Sequence, residues 1–173
     1  EAADVVRRAG GRPVLAMIET PAGVLNAAAI AATPGIAGLV AGMADLAKAL
    51  NCGSDAQRTP LLYSLSAIVL AARAAGIACF DGVCTEFRNE EAFRAEAAQG
   101  KLLGFDGKTL IHPSQVDPCN AVFSPSAEEV AHAKALIAAY EAALSAGRGV
   151  ATLDGQMVEI LHVEQAKRLL ARA

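Results

Sequence analysis

Short apolar runs that end in a polar residue, each followed by a longer amphipathic segment, recur along this chain and restrict its fold more than any other feature. The alternation is that of βα units around a parallel sheet. Val14–Ile18 runs into Glu19, and Thr20-Pro21 then announces a helix, with threonine as N-cap and proline at the first helical position. Ile36–Ala41 is nearly all apolar, as a strand buried on both faces should be, and passes through Gly42-Met43-Ala44-Asp45 into a helical turn. A long loop over 51–59 leads to a helix over 61–75 stopped by Gly76. The third apolar run, 78–80, continues into Asp81-Gly82-Val83, with a helix over 89–98 stopped by Gly100. The fourth unit is the run 107–111, closed by His112-Pro113. Ser124-Pro125-Ser126-Ala127-Glu128-Glu129 then caps a helix to about residue 146. Its apolar positions Val130, Ala133, Leu136, Ile137 and Tyr140 fall on one face. Gly147 and Gly149 break it, 153–157 reads as a loop or arm, and 162–173 as a short amphipathic helix.

Four βα units are half of a (β/α)8 barrel, and a four-stranded parallel sheet alone leaves open edges on an apolar chain. The fold expected is therefore α/β, the C-terminal part of a TIM barrel plus a C-terminal helical arm. Residues 1–146 would form the barrel half and 147–173 the arm or lid. The chain does not open on methionine, in keeping with a start inside a longer polypeptide.

Composition narrows the partners. Of 173 residues 54% are apolar and 19% charged, enough to build a core. A net charge of -3 and a pI near 5.6 provide no basic field, which argues against nucleic acid or an anionic membrane surface. Neither a membrane span nor a secretory signal is read. The four cysteines, Cys52, Cys79, Cys84 and Cys119, lack zinc-site spacing, and the reading is of packing residues in a reducing, cytoplasmic setting.

In a parallel barrel the active site lies at the C-terminal strand ends, which directs attention to Glu19, Asp45, Asp81 and His112. Glu19 and Asp45 lie in consecutive units, so their carboxylates can share a cation across one strand spacing of about 4.8 Å. Two hard oxygen donors with waters and a chelating substrate are a usual way to hold magnesium. The plainer readings are a salt bridge for Glu19 and a helix cap for Asp45. Backbone N–H groups over Gly42, Met43, Ala44 and Asp45 suit a substrate carboxylate. Asp81 beside Gly82 reads more readily as a turn-former, His112 as a strand end, and His132 and His162 as helix-face residues.

Several blocks in order resemble one family. They are Met17-Ile18-Glu19-Thr20-Pro21-Ala22-Gly23, Gly38 to Leu46, Ile68 to Gly76, Gly104-Phe105-Asp106-Gly107-Lys108 with Ile111-His112-Pro113-Ser114-Gln115, and Asp154-Gly155-Gln156-Met157-Val158. Together they look like the citrate lyase β-subunit family of CoA-ester lyases, relatives of malyl-CoA and citramalyl-CoA lyases within the HpcH/HpaI aldolase superfamily. The resemblance implies a TIM barrel and magnesium held by Glu19 and Asp45. It implies cleavage or formation of a carbon–carbon bond in a 3-hydroxyacyl-CoA such as malyl-, citramalyl- or citryl-CoA, with acetyl-CoA and a 2-oxo acid as products. Coenzyme A enters as part of the substrate. It also implies that Asp154, on the arm of a neighbouring subunit, acts in trans as acid/base in a homo-oligomer, typically a trimer, with an acyl-carrier partner as an open option. Ala44 stands where many relatives carry Glu, and Glu159 where Asp is frequent, so the acyl-CoA stays open. The other readings are a CoA-independent hydroxy-oxo-acid aldolase, thioester hydrolysis after condensation, and a non-catalytic assembly subunit.

Overall fold

The alternation seen in the sequence becomes a four-stranded parallel sheet, and a computed structural model describes residues 1–173. A short helix, α1 (Ala2–Arg8), precedes β1 (Val14–Ile18). The Thr20 hydroxyl accepts the Gly23 N–H at 3.0 Å and opens the helical segment with Pro21 in its first turn. Where one helix was expected there are two, α2 (Pro21–Leu25) and α3 (Ala27–Ala31), separated by Asn26. The Asn26 side-chain amide donates to the Ala22 carbonyl at 2.7 Å, an alternative to the helical ladder that short polar side chains offer. β2 (Ile36–Ala41) leads through Gly42 into α4 (Met43–Leu50), which Asn51 closes in the left-handed conformation. A 3-10 turn, Thr59–Leu61, opens α5 (Leu62–Ala75), closed by Gly76.

β3 (Ala78–Asp81) is followed by α6 (Glu90–Leu103), capped by the Asn89 side chain. The expected stop at Gly100 is not observed, because the helix runs on to Gly104 at φ +102°. Gly100 serves close approach instead: a Cβ there would lie 2.6 Å from Asp81 Oδ2. β4 is only Gly107–Lys108, shorter than the apolar run suggested. Thr109 N–H still donates to the Asp81 carbonyl at 2.9 Å, but Ile111 N–H is taken by Gln115 Oε1 at 3.0 Å, which turns the chain out of the sheet. A 3-10 turn, Pro113–Gln115, and α7 (Val116–Phe123) follow, neither foreseen in the sequence.

Strand order is β1-β2-β3-β4, all parallel, with Ile18 opposite Ala41, Val40 opposite Phe80 and Asp81 opposite Lys108. Ile18, Leu39, Ala41 and Cys79 pack with Leu65, Ile68, Ala72, Phe93 and Ala97 of the helices in one core. Alternate residues point to the other face. There Leu15 and Met17 are each 55% exposed, an unusual state for a parallel sheet, which is ordinarily covered on both faces.

The chain divides into two compact units, Glu1–Phe123 and Ser124–Ala173. The second contains α8 (Ala127–Ser145), begun by a reciprocal Ser126–Glu129 capping box. It continues with β5 (Ala151–Leu153), β6 (Gln156–Val158) and α9 (Ile160–Leu170). The segment read as a loop or arm is an antiparallel hairpin. Asp154 and Gly155 form its two-residue turn at φ +50° and +77°, the positive pair a type I′ connection requires. Tyr140, Ala143, Ala151, Val158 and Val163 form this unit's own core.

Candidate active site at the strand ends

Glu19 follows the last residue of β1, and Asp45 lies in the first turn of α4, directly after β2. Since β1 and β2 are paired and parallel, both carboxylates sit at the same end of adjacent strands. Glu19 is half-buried and Asp45 exposed. Neither forms a salt bridge or hydrogen bond, so the plainer readings, a buried ion pair and a helix cap, do not describe them. The Glu19 side chain lies directly over Gly42: a Cβ at position 42 would fall 2.4 Å from Glu19 Cβ and 3.1 Å from its Oε2. Gly42 is the N-cap of α4 and offers no side chain to its first turn. The N–H groups of Met43, Ala44 and Asp45 therefore lack intrahelical acceptors.

This donor set fits magnesium. Two unpartnered carboxylates supply hard oxygen ligands, and the missing Cβ of Gly42 leaves the cradle in which Glu19 lies. No three His, Cys, Asp or Glu side chains converge as a closed metal cage. Asp154 is exposed at the hairpin turn of the second unit.

Sequence reasoning undervalued the next strand ends. Asp81, read as a turn-former, is fully buried at the centre of an ionic network on the helix side of the sheet. Arg58 Nη1 donates to its two carboxylate oxygens at 2.8 and 2.9 Å, and Lys108 Nζ donates to Oδ2 at 3.1 Å. Lys108 also reaches Glu96 at 2.6 Å, Arg58 Nε donates to Gln99 at 2.8 Å, and Gly82 N–H donates to Asp81 Oδ1 at 2.8 Å. Arg58 adopts φ +54°, a sparsely populated conformation for a non-glycine residue, and these bonds hold it there. Gly82 continues the contact toward α4, for a Cβ on it would lie 2.5 Å from the Ala41 carbonyl oxygen and 2.6 Å from Met43 Cγ. The position of Asp81 at the end of an apolar run was the sequence signal for this network, and its cationic partners carried none. Gln115 joins the neighbouring loops, accepting Ile111 N–H and donating to the Cys84 carbonyl at 2.9 Å.

The cysteines are all free thiols, and Cys79, Cys84 and Cys119 are buried. Burial raises each of these three above the ordinary thiol value, Cys79 to about 12, so they lack thiolate character. His132 is exposed on α8, and His162 Nδ1 accepts the Glu159 N–H at 3.0 Å at the start of α9.

Residues 2–113 match the family model described as HpcH/HpaI aldolase/citrate lyase. This chain belongs to that family. A (3S)-malyl-CoA thioesterase of Cereibacter sphaeroides is 50% identical over 161 residues, covering 93% of this chain and 56% of the relative. The citrate lyase subunit beta of Escherichia coli is 40% identical over 168 residues, covering 96% and 56%. The crystal structure of CitE from Mycobacterium tuberculosis, in complex with magnesium, acetoacetate and coenzyme A, superposes with a TM-score of 0.82 at 33% identity. It covers 99% of this chain and 64% of that one. The chain thus spans about half the length of the curated relatives it matches. No helix is long and apolar enough to cross a membrane.

Proposed function

We propose that this chain is the C-terminal part of a TIM-barrel, magnesium-dependent carbon–carbon lyase acting on a 3-hydroxyacyl-CoA. Malyl-CoA, citramalyl-CoA and citryl-CoA are the candidate substrates, cleaved to or formed from acetyl-CoA and a 2-oxo acid. The observation that carries the reading is the pair of unpartnered carboxylates, Glu19 and Asp45, at the same end of paired parallel strands with Glu19 laid over Gly42. The family relatives support it, and the bare Leu15–Met17 face supports a barrel completed by further chain.

In this reading Glu19 and Asp45 hold the metal, and the N–H groups of Met43, Ala44 and Asp45 receive the carboxylate of the oxo acid. Bound magnesium supplies Lewis-acid polarisation of the oxo-acid oxygen. Asp154, delivered from the hairpin of a neighbouring subunit in a trimer, handles the proton at the acetyl carbon. In condensation its carboxylate takes a proton from the thioester methyl group, the resulting carbanion equivalent forms the new bond to the oxo-acid carbonyl carbon as the C=O electron pair moves onto oxygen, and that oxygen takes a proton from water. In cleavage the hydroxyl gives its proton to water and re-forms C=O as the carbon–carbon bond breaks toward the thioester, and Asp154 returns the proton to carbon. Gly42 keeps the backbone close to Glu19, and the Asp81 network fixes the neighbouring strand end.

A second outcome, hydrolysis of the thioester, is favoured by the 50% identity to a malyl-CoA thioesterase. A cytoplasmic setting and an acyl-carrier partner belong to the same proposal. The test is to incubate the natural-length protein with each of the three thioesters, with magnesium and with chelator, and to follow 2-oxo acid and free CoA separately. Magnesium-dependent oxo-acid release supports the lyase. Free CoA without oxo acid supports the hydrolase, and neither product supports the CoA-independent aldolase or a non-catalytic subunit.

A further inference from the structure

Residues 41–43, where β2 passes into α4, are gripped from both sides at contacts that leave no room for a further side chain. On the β1 side Glu19 and Met17 close on Gly42, where a Cβ would lie 2.4 Å from Glu19 Cβ and 3.0 Å from Met17 Cγ. On the β3 side Gly82 closes on the same turn, its missing Cβ falling 2.5 Å from the Ala41 carbonyl oxygen and 2.6 Å from Met43 Cγ. Gly82 is itself held in place. Its N–H donates to Asp81 Oδ1 at 2.8 Å, and the Asp81 carbonyl accepts the Thr109 N–H at 2.9 Å and the Thr109 hydroxyl at 3.0 Å. The Asp81 side chain has no freedom to swing, because Arg58 and Lys108 both donate to it and Gly100 brings the α6 backbone close against it. No buried side-chain nitrogen or oxygen of this assembly lacks a hydrogen-bond partner.

Two cations, Arg58 and Lys108, meet two carboxylates, Asp81 and Glu96, so the assembly carries no net charge. A neutral set exerts little field on its surroundings, and what it transmits is position. The path runs from Asp81 through Gly82 to Met43, the first residue of α4, whose N–H is one of those without an intrahelical acceptor. We propose that Asp81, acting through Gly82, is a positioning residue that sets the amino end of α4 for the carboxylate of the oxo acid. It touches no reacting atom; it fixes where the Met43, Ala44 and Asp45 N–H groups stand relative to Glu19. The proposal rests on the reading above that these groups receive that carboxylate. In such a site a displacement of about 1 Å is worth up to about 100-fold in rate.

The experiment compares the natural-length wild-type protein with Asp81→Asn, Gly82→Ala and Arg73→Gln. Arg73→Gln controls for stability alone, since it breaks the Arg73–Asp106 ion pair near the start of β3 and leaves the turn at 41–43 untouched. Condensation of acetyl-CoA with glyoxylate, pyruvate or oxaloacetate, whichever the wild type uses, gives kcat and a KM for each reactant at saturating magnesium, at a temperature where every variant is folded. The expected result is a KM for the oxo acid raised about tenfold or more in Asp81→Asn and Gly82→Ala. The KM for acetyl-CoA stays unmoved, and Arg73→Gln keeps both wild-type values. A role in stability alone lowers the amount of active enzyme and moves neither KM. That outcome in folded Asp81→Asn overturns the proposal, and so does an effect of Gly82→Ala that Asp81→Asn does not share. If Asp81→Asn does not fold, Gly82→Ala decides by the same criterion. A wild type with no oxo-acid chemistry marks the failure of the lyase reading instead, and hydrogen exchange over residues 41–48 then decides. Faster exchange in Asp81→Asn and Gly82→Ala than in the wild type and Arg73→Gln supports the positioning role, and equal exchange overturns it.

Discussion

Glycine 42 shows how much of the candidate site depends on what a residue lacks. A β-carbon on residue 42 would stand 2.4 Å from Glu19 Cβ, so Gly42→Ala must displace either Glu19 or the start of α4. The expected outcome is a variant that folds, by circular dichroism, but needs at least tenfold more magnesium for activity. Asp81 belongs to the same scale. Removing one partner of a buried ionic network leaves the others uncompensated, so Asp81→Ala is expected to lower unfolding free energy by about 3–5 kcal/mol in a denaturant titration. The positions of Glu19 and Asp45 at strand ends were legible in the sequence because each follows an apolar run. Arg58 and Glu96 were not, since nothing local marks a surface-type residue that tertiary packing draws inward against a strand end, Arg58 against Asp81 23 positions away and Glu96 against Lys108 12 positions away.

The thiols supply a pH prediction, and the sign follows from burial. Cys79 is held neutral in the folded chain up to about 12, against 9.0 for an ordinary thiol. The unfolded chain therefore ionises first, and the stabilisation, complete below pH 9, is lost as the pH rises toward 12. Cys79→Ala should show a shallower alkaline loss of stability in that window. In native alkylation at neutral pH the partly exposed Cys52 should react well before Cys79, Cys84 and Cys119, as peptide mass mapping would show.

At the scale of elements, caps and turns were readable where a side chain acts locally. Thr20, Asn89 and Ser126 each accept the N–H three residues on, and Ser126→Ala is expected to cost about 1 kcal/mol in thermal or denaturant unfolding. Gly100 illustrates the opposite case. Its residue type suggests a helix stop, yet in the fold it is a helical position kept bare for Asp81. α7 was hidden because Pro118 lies inside an apparent loop, although proline is tolerated in the first turn of a helix. The hairpin of β5 and β6 was signalled by Asp154-Gly155 between two short runs that mix apolar and polar residues, a cue that the reading as an arm passed over.

At the scale of the whole molecule, the parallel order of the strands followed from the alternation of short apolar runs with amphipathic segments, since a helix between successive strands returns the chain to the same strand direction. The same spacing does not say what covers the other face, because Leu15 and Met17 read as strand residues whether or not anything lies over them. Apolar surface exposed on that face favours association. The 173-residue chain alone should bind a hydrophobic dye and self-associate by light scattering, and a polypeptide of the relatives' length should do neither.

The central claim is that Glu19 and Asp45 together hold the magnesium that makes carbon–carbon cleavage possible. The most direct test is the rate of 2-oxo acid release across a magnesium titration for the natural-length protein, Glu19→Gln and Asp45→Asn, using the thioester the wild type turns over. The account predicts that each substitution abolishes release or moves the magnesium requirement at least tenfold upward, with the fold intact. Wild-type rates at wild-type magnesium in either variant would contradict it.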